Sequence, residues 1–244
     1  MRSQYHCGEH AQAAIQRFNE MSTKQRARYR LLSGHFPYGV HEQVPGNYAY
    51  ITMLRDPLNR VASFYYFIRQ QADHPLNADL SVAAQHSLCA FARETRQPIM
   101  DNGQTRLLAG DWGQVPFGAC NDDMLQRAKE NVDQIAVVGL TEHFKESLLL
   151  LGQRFGWKDL GYRRANQGRL RPQAPKRDEQ TTNALSELNH LDLELYKHAN
   201  DLFSTAWSKS GLTTDDFADN HPPPSRIKDL TQRLKAKIQN KFIQ

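Results

Sequence analysis

The sequence predicts an α/β fold in which a mostly parallel sheet is covered by helices on both faces. Two segments carry this prediction, Tyr48–Leu54 and Ile135–Leu140, because each is short, rich in β-branched or aromatic residues and typical of a buried strand. Each is followed at once by apolar residues at helical spacing, and strands separated by helices favour parallel pairing. A length of 244 residues suffices for one such domain with a sizeable core.

The other elements continue this alternation of helix and strand. Residues 8–20 carry small and apolar residues at helical spacing, and Tyr29–Ser33 has the composition of a strand. The later predicted elements are a helix over 58–70, helices over 79–96 and 121–132, a helix from Thr141 or Glu142 to Phe155, a loop over 161–181 and a long helix over 183–207. In such folds ligands bind beyond the carboxyl ends of the strands, so functional residues are expected there.

The last segment differs in composition from the rest of the chain. His221 and three consecutive prolines form a stiff break, and the following residues place an apolar stripe among lysines and arginines. We therefore divide the chain into a domain over 1–220 and a basic amphipathic helix within 221–244. That helix could contact an anionic membrane surface, grip a glycan, or pack against the domain or a partner chain.

Composition limits the classes of partner and site. The net charge of +5 favours an acidic partner, but no helix-turn-helix, zinc-finger or RNA-binding sheet motif is visible, so nucleic acid is not expected. Three scattered cysteines are too few for a disulfide framework or a zinc site, and no metal is expected. The sequence indicates no oligomeric state.

Targeting signals are not evident in this sequence. No run approaches the roughly 20 apolar residues that a membrane span needs. Residues 1–7 lack the apolar core of a secretory signal. We therefore expect a cytoplasmic or membrane-associated protein.

A junction between a strand and a helix is the most informative feature of the chain. Tyr48–Leu54 ends at Arg55, and Asp56-Pro57 supplies an N-cap and a first helical residue. Such a junction directs free backbone N–H groups and the positive end of a helix dipole at an anion. Arg55 at the strand exit and Ser63 two turns into the helix could grip a phosphate between them.

The run Arg-Asp-Pro-x-x-Arg-x-x-Ser-x-Tyr-Tyr that starts at Arg55 resembles the 3′-phosphate-binding motif of sulfotransferases. These enzymes use 3′-phosphoadenosine 5′-phosphosulfate (PAPS), and the branch that sulfates heparan sulfate at the 2-O or 6-O position is most similar. Further blocks resemble that branch in the same order along the chain: Gly34–His41, Asn102–Gly110, Val137–Glu142 and Asn189–Tyr196. The resemblance implies a P-loop-NTPase-like fold, PAPS as the sulfuryl donor and a carbohydrate acceptor, with Arg55 and Ser63 on the 3′-phosphate.

Sulfuryl transfer needs a general base within reach of the acceptor hydroxyl, and a histidine has a suitable pKa. The resemblance points to His41 first and to His35 second, with the possibility that one is the base and the other contacts the acceptor. Asn102, Gln104 and Arg106 form a polar cluster that could reach oxygens of the acceptor or of the cofactor. We assign it to substrate binding, the alternative being helix capping and surface chemistry.

Two basic features remain open between a functional and a structural role. Arg60 could help hold the phosphate or pair with an acidic residue. Arg163, Arg164 and Asn166 open a loop that could close over the cofactor or form a solvated run of charges.

One departure from the family pattern concerns the 5′-phosphosulfate. Family members begin with a strand and a Lys-x-Gly-[Thr/Ser] loop that cradles this group, and residues 1–30 contain no strand followed by a glycine-rich turn. We therefore expect an N-terminally incomplete fold, either because the chain starts downstream of the family's beginning or because it is a degenerate relative. The alternative function is a non-catalytic glycan- or nucleotide-binding pseudoenzyme.

Overall fold

The structure is a computed structural model that describes residues 4–7, 11–70, 87–111, 113–162 and 177–217. Three predicted features therefore lie outside the described residues: the first part of the helix over 79–96, the basic loop that Arg163 opens, and the segment 221–244. Within the described ranges, no helix has both the length and the apolar character to cross a membrane.

Helices and strands alternate along the described chain, as the α/β prediction requires. In chain order the elements are β1 (Gln4–Cys7), α1 (Ala11–Glu20), α2 (Thr23–Arg26), β2 (Leu31–Gly34), β3 (Ile51–Leu54), α3 (Pro57–Gln70), α4 (Leu88–Glu94), α5 (Gly103–Leu108), α6 (Asp122–Asp133), β4 (Val137–Leu140), α7 (Phe144–Phe155), α8 (Glu179–Leu188) and α9 (His190–Ser210). Short 3₁₀ turns at Val40–Gln43, Pro98–Met100, Thr141–His143 and Thr214–Asp216 connect some of them.

The described strands pair only in parallel, which confirms the predicted parallel character. β1 pairs with β2 so that Gln4 lies opposite Leu31. β3 pairs with β4 so that Ile51 lies opposite Val137. The described strands form two separate pairs rather than one sheet. Residues of β2 and β3, one strand from each pair, line the same cleft.

Several local predictions differ from the structure, among them the absence of α2 and a loop over 161–181 that α8 enters at Glu179. The described chain begins with a strand, β1, although the polar composition of Gln4–Cys7 gave no strand signal; residues 8–10 after it lie outside the described part. The long helix over 183–207 is two helices, α8 and α9, with a break at Asn189. α5 was not predicted as a helix, since its six residues are too few to show a helical period.

Two groups of buried side chains form the core and support the site from below. One lies between β3, β4 and the helices α6, α7 and α9, and the other joins α3, α4 and α8. All four residues of β4 are buried, as a strand covered on both faces requires. Gly139 permits this packing, since a Cβ there would lie 2.9 Å from the Met53 sulfur.

Candidate active site

A cleft of about 1540 Å³ runs along the edges of β2 and β3 and gathers most of the residues predicted to be functional. His35, His41, Arg55, Ser63 and Gln104 all line it. Asn102 and Arg106 do not line it and are almost fully buried. The structure therefore brings together five of the seven predicted site residues.

The strand–helix junction at Arg55 has the predicted form. β3 ends at Leu54, and α3 begins at Pro57. Asp56 caps the helix, because its Oδ1 accepts a hydrogen bond of 2.7 Å from the backbone N–H of Asn59. Arg55 thus lies between the end of a strand and the N-terminus of a helix. The helix dipole and the Arg55 guanidinium both favour a negatively charged ligand there.

The exits of β3 and β4 are joined beside Arg55. The Thr141 hydroxyl donates to the Leu54 carbonyl at 3.0 Å. One oxygen of Glu142 accepts the backbone N–H of Asp56 at 3.2 Å, and the other accepts the Tyr196 hydroxyl at 2.8 Å. Burial and the hydrogen bond to Glu142 raise the pKa of Tyr196, so this hydroxyl remains a donor at neutral pH.

His41 lies in the 3₁₀ turn Val40–Gln43 and is held by tyrosines that the sequence analysis did not single out. The Tyr50 hydroxyl accepts the backbone N–H groups of Gly39 (3.2 Å) and His41 (3.1 Å) and lies 2.9 Å from His41 Nδ1. The rings of Tyr48 and Tyr38 lie 4.6 and 5.5 Å from the imidazole. Burial raises the pKa of Tyr50 above its usual value, so a neutral hydroxyl contacts the imidazole. The alternation of Tyr48 and Tyr50 just before the Arg55 junction was the sequence feature that could have indicated these two tyrosines as part of the site.

His35 follows β2 directly and shares a loop with His41. The backbone N–H of Tyr38, between the two histidines, donates to the Leu107 carbonyl of α5 at 2.8 Å. A Cβ on Gly110, whose φ is +82°, would lie 3.0 Å from the Tyr38 carbonyl oxygen. The close approach at Gly110 and the Tyr38 hydrogen bond therefore anchor the histidine loop to α5.

Arg106 is occupied by contacts inside the protein. Its guanidinium donates to the Asp101 carboxylate (2.5 Å) and to the carbonyls of Asp101 (2.8 Å), Val115 (2.5 Å) and Pro116 (2.8 Å). No part of its side chain is exposed. These contacts support a structural role, because every nitrogen of the fork is already bonded.

Asn102 is likewise occupied, at the start of α9. Its Oδ1 accepts the backbone N–H groups of Leu191 (2.9 Å) and Asp192 (3.1 Å), and its Nδ2 donates to Asp101 at 2.8 Å. The residue has a φ of +51°, which asparagine tolerates better than most residues do. Its amide therefore caps another helix instead of facing the cleft.

Comparison of the chain with known proteins identifies the family to which it belongs. The family model for galactose-3-O-sulfotransferase matches residues 9–214, which is most of the chain. The chain belongs to this sulfotransferase family. The match confirms the family that the Arg55 motif and the ordered blocks predicted.

Curated relatives of this sulfotransferase family member are similar over about two thirds of its length. Heparan-sulfate 6-O-sulfotransferase 2 of Gallus gallus is 28% identical over 181 residues, which cover 64% of the chain and 44% of the relative. Heparan-sulfate 6-O-sulfotransferase 1 of Homo sapiens is 28% identical over 185 residues, which cover 66% and 44%. The chain thus spans less than half the length of these relatives.

Proposed function

We propose that this protein transfers a sulfuryl group from PAPS to a hydroxyl of a carbohydrate acceptor. The observation that carries the proposal is the single cleft lined by Arg55, Ser63, His41 and His35 in a member of a sulfotransferase family. The names of the heparan-sulfate relatives support a glycan acceptor. We further propose that the fold is P-loop-like and that residues 1–220 form its domain. The basic composition of 221–244 supports a separate proposal, that this segment makes peripheral membrane contact.

The residues at the strand–helix junction fit a phosphate. Arg55 supplies a guanidinium fork, and Ser63 supplies a hydroxyl from the second turn of α3. The positive end of the α3 dipole, at the start of the helix, favours a negatively charged ligand. These two side chains would hold the 3′-phosphate of PAPS. When bound, PAPS would supply the sulfuryl group from its 5′-phosphosulfate. The described residues include no Lys-x-Gly-[Thr/Ser] loop for the 5′-phosphosulfate, so we assign that group no ligand here.

In the proposed reaction His41 takes the proton of the acceptor hydroxyl as that oxygen bonds to sulfur. The bond between sulfur and the bridging 5′-phosphate oxygen would break, and 3′-phosphoadenosine 5′-phosphate would leave with that electron pair. Because the Tyr50 hydroxyl lies 2.9 Å from Nδ1, this role requires that Nδ1 carry the ring proton and donate it to the Tyr50 oxygen, so that the Nε2 lone pair takes the acceptor proton. His35 is the second candidate for the base, or a contact of the acceptor.

The experiment that tests the cofactor site combines two ligands with two variants. The ligands, 3′-phosphoadenosine 5′-phosphate and adenosine 5′-phosphate, differ only in the 3′-phosphate, so their calorimetric affinities isolate its contribution. Arg55→Ala should weaken the first ligand about 10-fold or more, the size of a lost charge-assisted hydrogen bond, and leave the second within about 2-fold. Arg127→Ala is the matched control, because Arg127 pairs with Asp111 on the surface outside the cleft.

The outcomes separate the possibilities. An unchanged affinity of Arg55→Ala for the 3′-phosphorylated ligand would refute the assignment of Arg55. Binding that depends on Arg55, with no transfer of radioactive sulfate from PAPS to a heparan-type polysaccharide, would favour the non-catalytic binding module. Transfer that is lost in Arg55→Ala would support the sulfotransferase.

A further inference from the structure

The Gln104 side chain, which lines the same cleft as Arg55, forms hydrogen bonds with the Arg55 backbone. The backbone N–H of Arg55 donates to Gln104 Oε1 at 2.9 Å, and Gln104 Nε2 donates to the Arg55 carbonyl at 2.9 Å. The side-chain amide thus bonds Arg55 as a neighbouring strand would, on the residue just beyond the last one of β3. Gln104 is 8% exposed, so water competes little for these bonds.

Gln104 is itself fixed, because α5 and α9 cap each other. The Asp192 carboxylate, in the first turn of α9, accepts the backbone N–H groups of Gln104 (3.1 Å) and Thr105 (2.7 Å) and the Thr105 hydroxyl (2.8 Å). In return, Asn102 caps the start of α9. Asp192 is fully buried, and this reciprocal capping ties the start of α5 to the start of α9 by hydrogen bonds.

The helix that carries Ser63 is tied to the same place. Arg60 of α3 donates to the Ile99 carbonyl (2.8 Å) and to Asn189 Oδ1 (3.1 Å), and its Nη2 lies 3.6 Å from Asp192. A Cβ on Gly103 would lie only 2.9 Å from the Arg60 guanidinium, so α3 and α5 are in close contact there. Burial lowers the pKa of Arg60, and the Asp192 charge opposes this shift. Arg60 is therefore engaged with an acidic residue, one of its two predicted roles.

We propose that Gln104 is a positioning residue for the phosphate site, which sets Arg55 relative to Ser63. The inference rests on the proposed function and assigns Gln104 a role different from acceptor binding. Its physical basis is that Arg55 bonds to Gln104, the backbone N–H of Gln104 bonds to Asp192, and Arg60 of α3 forms an ion pair with the same carboxylate. A guanidinium fork needs a fixed backbone to meet a phosphate with two bonds, and small displacements weaken such contacts strongly.

The test uses two substitutions on Gln104 and a control at the other end of α5. Gln104→Leu removes both bonds to Arg55, whereas Gln104→Glu keeps the bond from the Arg55 N–H and sets an oxygen against the carbonyl. Asn131→Leu removes a comparable bond, since Asn131 Nδ2 donates to the Leu108 carbonyl at 2.7 Å. We expect both Gln104 variants to bind 3′-phosphoadenosine 5′-phosphate about 10-fold more weakly than the unmodified protein does. Their affinity for adenosine 5′-phosphate should change by less than about 2-fold, as should the affinity of Asn131→Leu for either nucleotide.

Amide hydrogen exchange supplies a readout that needs no ligand. Gln104→Leu should accelerate exchange at the Arg55 N–H while the amides of β3 paired with β4 keep their protection. Equal losses of affinity in Gln104→Leu and Asn131→Leu would mean a general loss of structure and overturn the proposal, as would unchanged exchange at Arg55. If the unmodified protein binds neither nucleotide, the proposed function fails, while exchange at Arg55 still decides whether Gln104 fixes that backbone.

Discussion

Replacing Arg106 by methionine separates a structural role of this residue from acceptor binding. Methionine has a similar length but donates no hydrogen bond. The substitution removes the Arg106 donor from the Val115 carbonyl and from the Pro116 carbonyl, which keeps the Ala119 N–H at 3.2 Å. It also removes the cation from Asp101, which keeps two nitrogen donors, the Gly118 N–H at 2.7 Å and Asn102 Nδ2 at 2.8 Å.

The expected loss of stability follows from this geometry. Removing one partner of a buried, hydrogen-bonded ion pair costs about 3–5 kcal/mol. The four bonds of Arg106 would suggest more if each were counted alone, but the two remaining donors to Asp101 and local relaxation keep the cost within that range. For a domain of this size the melting temperature should fall by roughly 6–20 °C.

Urea unfolding followed by circular dichroism measures this loss, with an unchanged m-value as the sign that the unfolded state is unaffected. Arg127→Met is the control, because its ion pair with Asp111 is partly exposed and should contribute less than about 1 kcal/mol. If Arg106→Met unfolds at the same urea concentration as the unmodified protein and instead raises the KM for a glycan acceptor, the reasoning is refuted and Arg106 binds the acceptor.

Two further predictions concern the cleft and a cysteine. His41→Asn and His35→Asn are each expected to leave the affinity for 3′-phosphoadenosine 5′-phosphate within about 2-fold, and the variant that lacks the base should lose about 100-fold or more in kcat; normal turnover in both would place the base elsewhere. Burial, followed by the Asp101 charge, raises the pKa of the Cys120 thiol to about 12. The reactive thiolate is therefore scarce at neutral pH, and iodoacetamide labelling of Cys120, followed by mass spectrometry, should rise with pH up to about 12. A labelling rate that levels off near pH 8.5, as for an ordinary thiol, would contradict this.

Local sequence signals predicted the parts of the site that depend on neighbouring residues. The junction at Arg55 could be predicted because the strand, the N-cap Asp56 and the helical Pro57 follow one another within ten residues. The two histidines could be placed beside it because they lie in the preceding loop. Arg55 and both histidines line one cleft, as expected.

Long-range contacts explain what could not be predicted. Gln104 bonds a residue 49 positions away, and Asp192 bonds α5 across 87 and 88 positions, so nothing near either residue indicates its partner. Asn102 has a polar side chain whose exposure decides its role, and exposure depends on how α9 packs. The same holds for the strand β1, whose formation depends on pairing with β2 and not on its own composition.

The mutual capping of α5 and α9 also has a consequence for the order of folding. A helix of six residues is too short to be stable alone. The N–H groups of Gln104 and Thr105 at its start bond to Asp192, so we expect α5 to form after α9 is available. During synthesis from the N-terminus, the wall of the cleft that holds Arg55 would therefore stay unformed until the chain beyond residue 192 has left the ribosome. Assembly of the phosphate site is then delayed well beyond the synthesis of Arg55 itself.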